Sequence, residues 1–282
     1  LQQGPDRVEV QGARGTAPTG LYKVSATHVD GHRCIATMLV RGREASDKAR
    51  AVAAAILART RALLARDGFG DYSETSVELL GTEDAYGAQA TAGARRTREL
   101  VLKIAVRHAD ARALEMFSRE IFPTATSTVQ GLAGAFGGRP KVQPVVRLFS
   151  FLLDRAAVTM ALDMDGETRA LPMADPPAAG AAVAAPAWVL PAPPDGARTT
   201  VPLVAIAYGR SGDKGDMFNI AVLARRPEFA PLLRDVLTPE CVRAQLAHLV
   251  QGRVERFDWP GLDGFNFLLH EALGGGGIAS LA

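Results

Sequence analysis

The chain has 282 residues, with 32 lysines and arginines against 30 aspartates and glutamates, so its formal net charge is only +2. Its hydrophobic content is 48% and its charged content 22%, close to the averages for globular proteins. This composition excludes wholesale disorder and offers no basic block for nucleic acid. No uninterrupted apolar run reaches the roughly 18 residues of a membrane span.

The two cysteines, Cys34 and Cys241, are far apart and have no metal-ligand or Cys-x-x-Cys spacing. We therefore expect two reduced thiols, no metal, no cofactor and a cytoplasmic location. The chain begins at Leu1 without methionine or a signal-peptide pattern, so we expect it to be the interior of a longer protein.

The first forty residues are predicted to form a β-meander. Residues 21–29 and 33–40 are β-prone, and Asp30-Gly31 between them predicts a tight hairpin turn. A long helix follows, with Ser46 as its N-cap and Gly68 as its stop signal. Residues of one helical face recur along it at helical spacing: Ala49, Val52, Ala53, Ile56, Leu57, Thr60, Leu63 and Leu64.

Shorter elements follow the helix. The pattern predicts strands over residues 77–80, 99–107, 145–153 and 157–164. Asp110 is predicted to cap a helix that carries Leu114, Phe117 and Ile121 and ends at Pro123. No periodicity is evident over residues 124–144.

A Pro- and Ala-rich segment, residues 171–199, divides the chain. It contains few core-forming residues and is predicted to be an extended linker. The predicted domains are therefore residues 1–170 and 200–282.

The second domain is predicted to be a small α+β sandwich, with helices on one face of an antiparallel sheet. Strands are predicted at residues 201–208, 219–224, 254–257 and 265–269. The helical region between the second and third strands is interrupted at Thr238-Pro239, where Thr238 is predicted to be the N-cap of a helix that begins at Pro239. A run of four glycines, 274–277, follows the last strand. The whole chain is thus predicted to be an α+β protein of two such sandwiches.

The richest segment chemically is a polar, glycine-punctuated loop over residues 208–219. Its glycines let backbone N–H groups approach an anion, and its cations would neutralise one. We predict anion binding by Arg210, Ser211, Gly212 and Gly215, and catalytic roles for Asp213, Lys214, Asp216 and Asn219. The sequence is neither a P-loop nor a serine-hydrolase elbow nor a calcium loop. The alternative is a surface hairpin in which Asp and Lys pair locally and the glycines serve the turn.

This segment and residues 266–277, Asn-Phe-Leu-Leu-His-Glu-Ala-Leu followed by four glycines, resemble the C-terminal domain of the acyclic terpene utilisation (AtuA-type) family. Residues 4–8, 21–25, 138–142 and 146–151 also resemble segments of that family. The resemblance therefore covers nearly the whole chain. It implies a ferredoxin-like fold for residues 200–282 and a further α/β region ahead of residue 1.

The resemblance implies a bacterial, cytoplasmic protein of acyclic terpene and branched-acid breakdown, a pathway that runs through acyl-CoA thioesters. The leading hypothesis is an enzyme, or part of one, that acts on a branched acyl-CoA by hydration, lyase or related carbon-skeleton chemistry. The alternative is a non-catalytic assembly module for a carboxylase-type subunit or for the preceding region. We expect a homo-oligomer or such an association, and neither a nucleic acid nor a membrane partner.

Two further groups of residues are candidate sites. Arg139 and Lys141 follow a glycine pair at residues 137–138 and are predicted to bind an anion, with Arg147 nearby and Ser/Thr hydroxyls at residues 126–128. The alternative is a solvated loop. His28, Asp30 and His32 alternate as metal ligands on a strand would, but the predicted turn would separate them.

The sharpest structural expectation concerns the two glycine-rich segments. Both are predicted to follow strands of one small sheet, so the loop at residues 210–216 and the glycine run should form the wall of one pocket. Lys214 is predicted to point into that pocket, and Gly275 and Gly276 to contribute to anion binding.

Overall fold

The computed structural model describes residues 2–4, 6–9, 15, 19–134, 138–172, 188–192, 196 and 199–281. Packing divides the chain into a smaller unit, Leu1–Ala26 with Phe149–Ala187, and a larger unit, Thr27–Leu148 with Trp188–Ala282. Most of the predicted linker lies outside the described residues. The three-part division at 170 and 200 therefore stays a prediction.

The first sheet has the strand order β4-β5-β3-β6, and β7 also pairs with β3. Its strands are β3 (Leu21–Arg41), β4 (Glu74–Leu80), β5 (Glu99–His108), β6 (Leu132–Gly134) and β7 (Val142–Asp154), preceded by the short strands β1 (Gln2–Gly4) and β2 (Arg7–Val8). β5 is antiparallel to both β3 and β4. The strand predicted at residues 99–107 is confirmed, because one face of β5 buries its alternating apolar residues.

The predicted hairpin turn at Asp30-Gly31 is wrong, because β3 runs through it without a break. Gly31 has a φ of +69°, and a Cβ there would lie 3.0 Å from the carbonyl oxygen of His108. The glycine therefore permits the end of β5 to approach closely, where the sequence pattern indicated a chain reversal. Asp30 is held by ion pairs with Arg107 and Arg147.

The long helix is confirmed as α1 (Ala45–Arg66). It buries the predicted apolar face against the first sheet. Its N-cap is Glu44, in a left-handed conformation with φ of 56°, and not Ser46. The Ser46 hydroxyl instead donates to the carbonyl oxygen of Arg95, at the end of the single helical turn α2 (Ala92–Arg95).

The next helix, α3 (Ala111–Ser127), starts where the sequence predicted and ends later. Asp110 is the N-cap, accepting from the backbone N–H of Arg112 at 2.8 Å, and the Arg112 side chain lowers the pKa of Asp110 to about 2. The predicted stop at Pro123 is wrong. Four hydroxyl side chains after the proline donate to helix carbonyl oxygens about one turn earlier. The donors are Thr124, Thr126, Ser127 and Thr128.

α1 and α3 together cover one face of the first sheet. The core between them contains fully buried aromatic and aliphatic side chains, among them Phe117, Leu102 and Ile104. Tyr72 packs edge-on against Phe117, with ring centroids 6.1 Å apart. Burial raises the pKa of the Tyr72 hydroxyl to about 12.

In the smaller unit a hairpin follows β7. Its strands are β8 (Met160–Met164) and β9 (Glu167–Leu171), and every residue of both is exposed. Asp165 and Gly166 both have positive φ, 55° and 86°, as a tight primed turn requires. The sequence predicted a strand at residues 157–164 but not β9.

The second sheet is antiparallel with the strand order β10-β11-β13-β12. Its elements in chain order are α4 (Leu203–Ile206), β10 (Ala207–Lys214), β11 (Met217–Ala224), α5 (Ala230–Val236), α6 (Pro239–Gln245), β12 (Val254–Trp259) and β13 (Gly264–Leu269). The predicted Thr238 cap is confirmed, since its hydroxyl accepts from Cys241 N–H at 3.1 Å. The strand predicted at 201–208 is wrong, because residues 203–206 form a helical turn and the strand begins at Ala207.

One face of the second sheet forms a core with the helices. Phe265, Phe267 and Leu269 alternate along β13 and are fully buried, packing with Leu233 and Leu237 of the helical region. The period-2 pattern of β13 thus places its apolar side chains toward the helices. The predicted α+β class, with helices against antiparallel sheets, is confirmed. Among the described residues, no helix has the length and apolar character needed to cross a membrane.

Candidate functional site

The glycine-rich segment predicted to be a loop forms a β-hairpin. β10 and β11 pair from Ala207 opposite Ala224 to Lys214 opposite Met217, which leaves only Gly215 and Asp216 in the turn. Gly215 has a φ of +63°, a conformation that strongly favours glycine. The geometry is therefore that of the alternative hairpin interpretation, with most of the predicted loop in regular strands.

Asp216 connects this turn to the glycine run. Its Oδ1 accepts hydrogen bonds from the backbone N–H groups of Leu273 and Gly275, at 3.0 and 2.8 Å. Its main-chain oxygen accepts a third from Ala272 N–H, at 3.1 Å. The carboxylate predicted to be catalytic thus fixes the backbone of one segment against the other.

The two glycine-rich segments enclose a cavity of about 260 Å³, which we call the hairpin cavity. Asp213, Lys214 and Gly215 line it together with residues 275–279, Val146 and Leu148. The Lys214 Nζ donates to the main-chain oxygen of Asp213 at 2.7 Å, and the Asp213 carboxylate faces Gly277. The predicted approach of the two segments is confirmed, whereas the chemical roles of these residues stay predictions.

Two arginines of the first sheet hold the chain around the glycine run. A Cβ on Gly275, whose φ is +91°, would lie 2.5 Å from Arg147 Nη1, so only glycine lets the guanidinium come this near. Arg147 also hydrogen-bonds Asp30, which holds the pKa of that carboxyl below its usual value. Arg33 Nη1 donates to the main-chain oxygens of Ile278 and Ser280, at 2.7 and 3.1 Å.

Besides Asp216, four predicted site residues of this segment do not line the hairpin cavity: Arg210, Ser211, Gly212 and Asn219. They lie along the two strands, with Gly212 directly opposite Asn219. The Asn219 side chain donates to Asn266 Oδ1 at 2.8 Å, an amide pair that bridges β11 and β13. We assign these residues to the sheet and not to the wall of the cavity.

Arg139 and Lys141 line a separate cavity of about 460 Å³, which we call the amphipathic cavity. It lies beside β3, between the end of β6 at Gly134 and the start of β7 at Val142. The apolar side chains that β3 and α3 contribute to its lining are Ile35, Met38, Ile121, Phe122 and Ala125, and the remaining lining residues are Thr37, Gly134, Gly138, Pro140 and Gln143. The cavity therefore combines an apolar wall from β3 and α3 with two cationic residues in its lining.

The segment that carries the two cations is anchored on both sides. The buried Ser118 hydroxyl donates to the main-chain oxygen of Pro140 at 2.5 Å, and Val142 packs on the core. Arg139 Nη2 lies 4.0 Å from the Glu115 carboxylate, a distance at which an exposed ion pair contributes little. Within the described part of the chain, Lys141 forms no ion pair. Gly137 lies outside the described residues.

Three features of this region differ from the sequence-based expectation. Arg147 does not join Arg139 and Lys141 but contacts Asp30 and Gly275. The hydroxyls at residues 126–128 bond to α3 carbonyls and not to the cavity. The apolar wall was not predicted, although the sequence gave one signal: Phe122 is a large apolar residue outside the helical stripe of Leu114, Phe117 and Ile121. In the structure its side chain is 45% exposed. Among the described residues, no three metal-ligating side chains cluster together.

The fold and the two cavities define an α+β protein with a small second domain whose glycine-rich hairpin contacts its C-terminal glycine run. Residues 1–164 match the model of the acyclic terpene utilisation family protein AtuA, and residues 201–282 match that of the AtuA ferredoxin-like domain. The chain therefore belongs to the AtuA family of acyclic terpene utilisation. No curated protein and no solved structure matches it.

Proposed function

We propose that this protein binds a branched acyl-CoA thioester in the breakdown of acyclic terpenes, with the acyl chain in the amphipathic cavity. The observation that carries the proposal is the pairing of the apolar wall at Met38, Ile121 and Phe122 with the cations Arg139 and Lys141. The family supplies the pathway, and the cavity supplies the class of ligand. The two free thiols of the chain, Cys34 and Cys241, are consistent with a cytoplasmic protein.

The chemistry of the cavity suits an amphipathic anion. A volume of about 460 Å³ lies within the usual range of small-molecule sites, roughly 300–1,000 Å³. A branched hydrocarbon chain gains free energy by leaving water for the apolar wall. A carboxylate or phosphate on the same ligand is attracted by the guanidinium of Arg139 and the ammonium of Lys141. A neutral or purely polar ligand would use only part of this lining.

The hairpin cavity supports a catalytic version of the proposal. Hydration or lyase chemistry on a thioester requires a group that moves a proton and a group that stabilises developing negative charge. Asp213 and Lys214 offer a carboxylate and an ammonium in one small cavity, beside backbone that only glycines bring so close. We assign proton transfer to Asp213, and not to Asp216, whose Oδ1 already accepts two backbone hydrogen bonds.

A non-catalytic assembly role is the second candidate. The smaller unit exposes large apolar side chains on β7, β8 and β9. Exposed apolar surface of this kind is typical of a protein that binds another protein. The two candidates differ in whether a thioester binds at all.

The deciding experiment is binding of CoA thioesters to the purified chain, measured by calorimetry and by thermal unfolding. A ligand at a hundred times its Kd should add about 2.7 kcal/mol to the free energy of unfolding. We expect a branched acyl-CoA to bind more tightly than free CoA, since only the former reaches the apolar wall. The double variant Arg139→Ala/Lys141→Ala should weaken binding at least tenfold, and Phe122→Ala should reduce the preference for the branched chain.

The matched control is Arg43→Ala/Arg96→Ala, which removes two exposed arginines that do not line the cavity. It should leave the affinity unchanged. If the branched thioester and free CoA both fail to bind, or if the control weakens binding as much as the cavity variant does, the proposed ligand is wrong. The assembly role then becomes the better explanation.

A further inference from the structure

The hairpin of β8 and β9 has one apolar and one small or polar face. Met160, Leu162 and Met164 alternate along β8 and therefore share a face. Their cross-strand partners on β9, which share it too, are Leu171, Arg169 and Glu167. The opposite face carries only short or polar side chains: Ala161, Asp163, Thr168 and Ala170. We call the face that carries Met160, Leu162, Met164 and their partners on β9 the apolar hairpin face.

The apolar hairpin face is open to solvent. Its four large apolar side chains, Met160, Leu162, Met164 and Leu171, are 42–64% exposed. At roughly 200 Å² for a large side chain, the four side chains of the apolar hairpin face leave on the order of 400 Å² of apolar surface open. Each partner contributes roughly 800 Å² to a specific interface, and somewhat over half of that area is apolar, so the apolar hairpin face has about the apolar area that such an interface uses. A two-stranded hairpin is only marginally stable when nothing packs against it, so burial of this apolar face against another protein surface would stabilise it.

The charges on the apolar hairpin face indicate which partner fits. Glu167 and Arg169 lie two residues apart on β9 and share this face, and neither has an ion pair among the described residues. A two-fold axis between them would bring Glu167 of one copy opposite Arg169 of the other, and the reverse. The face is therefore complementary in charge to itself, and its apolar residues would meet those of the second copy.

We propose that the chain forms a two-fold dimer through the apolar hairpin face. Met160, Leu162, Met164 and Leu171 form its apolar centre, and Glu167 and Arg169 pair reciprocally across it. This proposal is independent of the amphipathic cavity, since none of these residues lines it.

The test combines light scattering during size-exclusion chromatography with a mixing experiment. The full chain should elute as a dimer that dissociates on dilution. Glu167→Arg gives a face with two cations, and Arg169→Glu a face with two anions, so each variant alone should dimerise at least tenfold more weakly. An equimolar mixture of the two should recover a dimer, because each face then meets its complement. Neither position is opposite another charge on β8, so the hairpin itself should persist.

The matched control is Asp163→Arg, a charge reversal on the opposite face of the same strand, which should leave the dimer intact. Circular dichroism would verify that every variant is folded. A full chain that stays monomeric at all concentrations overturns the proposal. So does a dimer that is indifferent to Glu167→Arg, or a mixture of the two variants that fails to associate.

Discussion

Replacing Asp216 with alanine separates a structural role for this carboxylate from a catalytic one. Asp216 Oδ1 accepts two backbone hydrogen bonds, from Leu273 and Gly275, and the side chain is only partly buried. Each hydrogen bond to a charged group contributes roughly 1.5–3 kcal/mol in buried settings. Allowing for partial exposure, we expect Asp216→Ala to lower the free energy of unfolding by about 2–4 kcal/mol. The corresponding fall in Tm is roughly 4–16 °C.

Two further variants sharpen this test. Asp216→Asn keeps the Oδ1 acceptor and loses only the charge, so it should cost about half as much, because charge-assisted bonds are roughly twice as strong as neutral ones. Asp213→Ala is the control within the same hairpin. Its carboxylate accepts no hydrogen bond from the described residues, so its effect should stay within about 0.5 kcal/mol. Urea unfolding followed by circular dichroism measures all three. An unchanged Tm in Asp216→Ala, together with lost thioester turnover, would refute the structural role and restore Asp216 as a general base.

Lys214→Ala should leave Tm nearly unchanged, because among the described residues the Lys214 ammonium hydrogen-bonds only the main-chain oxygen of Asp213. It should reduce thioester turnover by 10²-fold or more if the hairpin cavity is catalytic. If neither Tm nor turnover changes, Lys214 is only part of a structural turn. The exposed Cys241 thiol should react with a disulfide reagent at pH 8 in the native protein. Cys34 should react only after unfolding, because burial raises the pKa of its thiol to about 12. Fast reaction of both thiols in the native protein would contradict the burial of Cys34. Limited proteolysis should cut first within residues 171–199, and early cleavage inside residues 46–66 would contradict the predicted boundary.

Part of the fold could be read directly from local patterns. The apolar stripe of α1, the alternation along β5 and β13, and the Thr238-Pro239 start of α6 all depend on residues within a few positions of one another. Burial of each pattern on one face then follows from the helical or extended repeat itself. The meeting of the Gly215 turn with the glycine run could also be predicted, because both segments follow strands of one small sheet.

Other features depended on neighbours that are distant in the sequence. Asp30-Gly31 has the composition of a turn, yet Gly31 uses its positive φ to admit the carbonyl of His108. Local composition indicates only that positive φ is needed, while the tertiary contact decides whether the chain reverses or another strand approaches. Likewise, the sequence alone does not show whether the Asp216 carboxylate is catalytic or structural. The tertiary structure assigns it a structural role, because its Oδ1 accepts hydrogen bonds from the backbone N–H groups of Leu273 and Gly275.

The sequence by itself determined the α+β class, the family, most helices and strands, and the cations of both cavities. Only the tertiary structure separated those cations into two sites and gave one of them an apolar wall. That wall joins Met38 of β3 to Ile121 and Phe122 of α3, residues more than eighty positions apart. Periodicity shows that such side chains leave water, but not which of them meet, because that depends on how strands pair and how helices pack across the sheet.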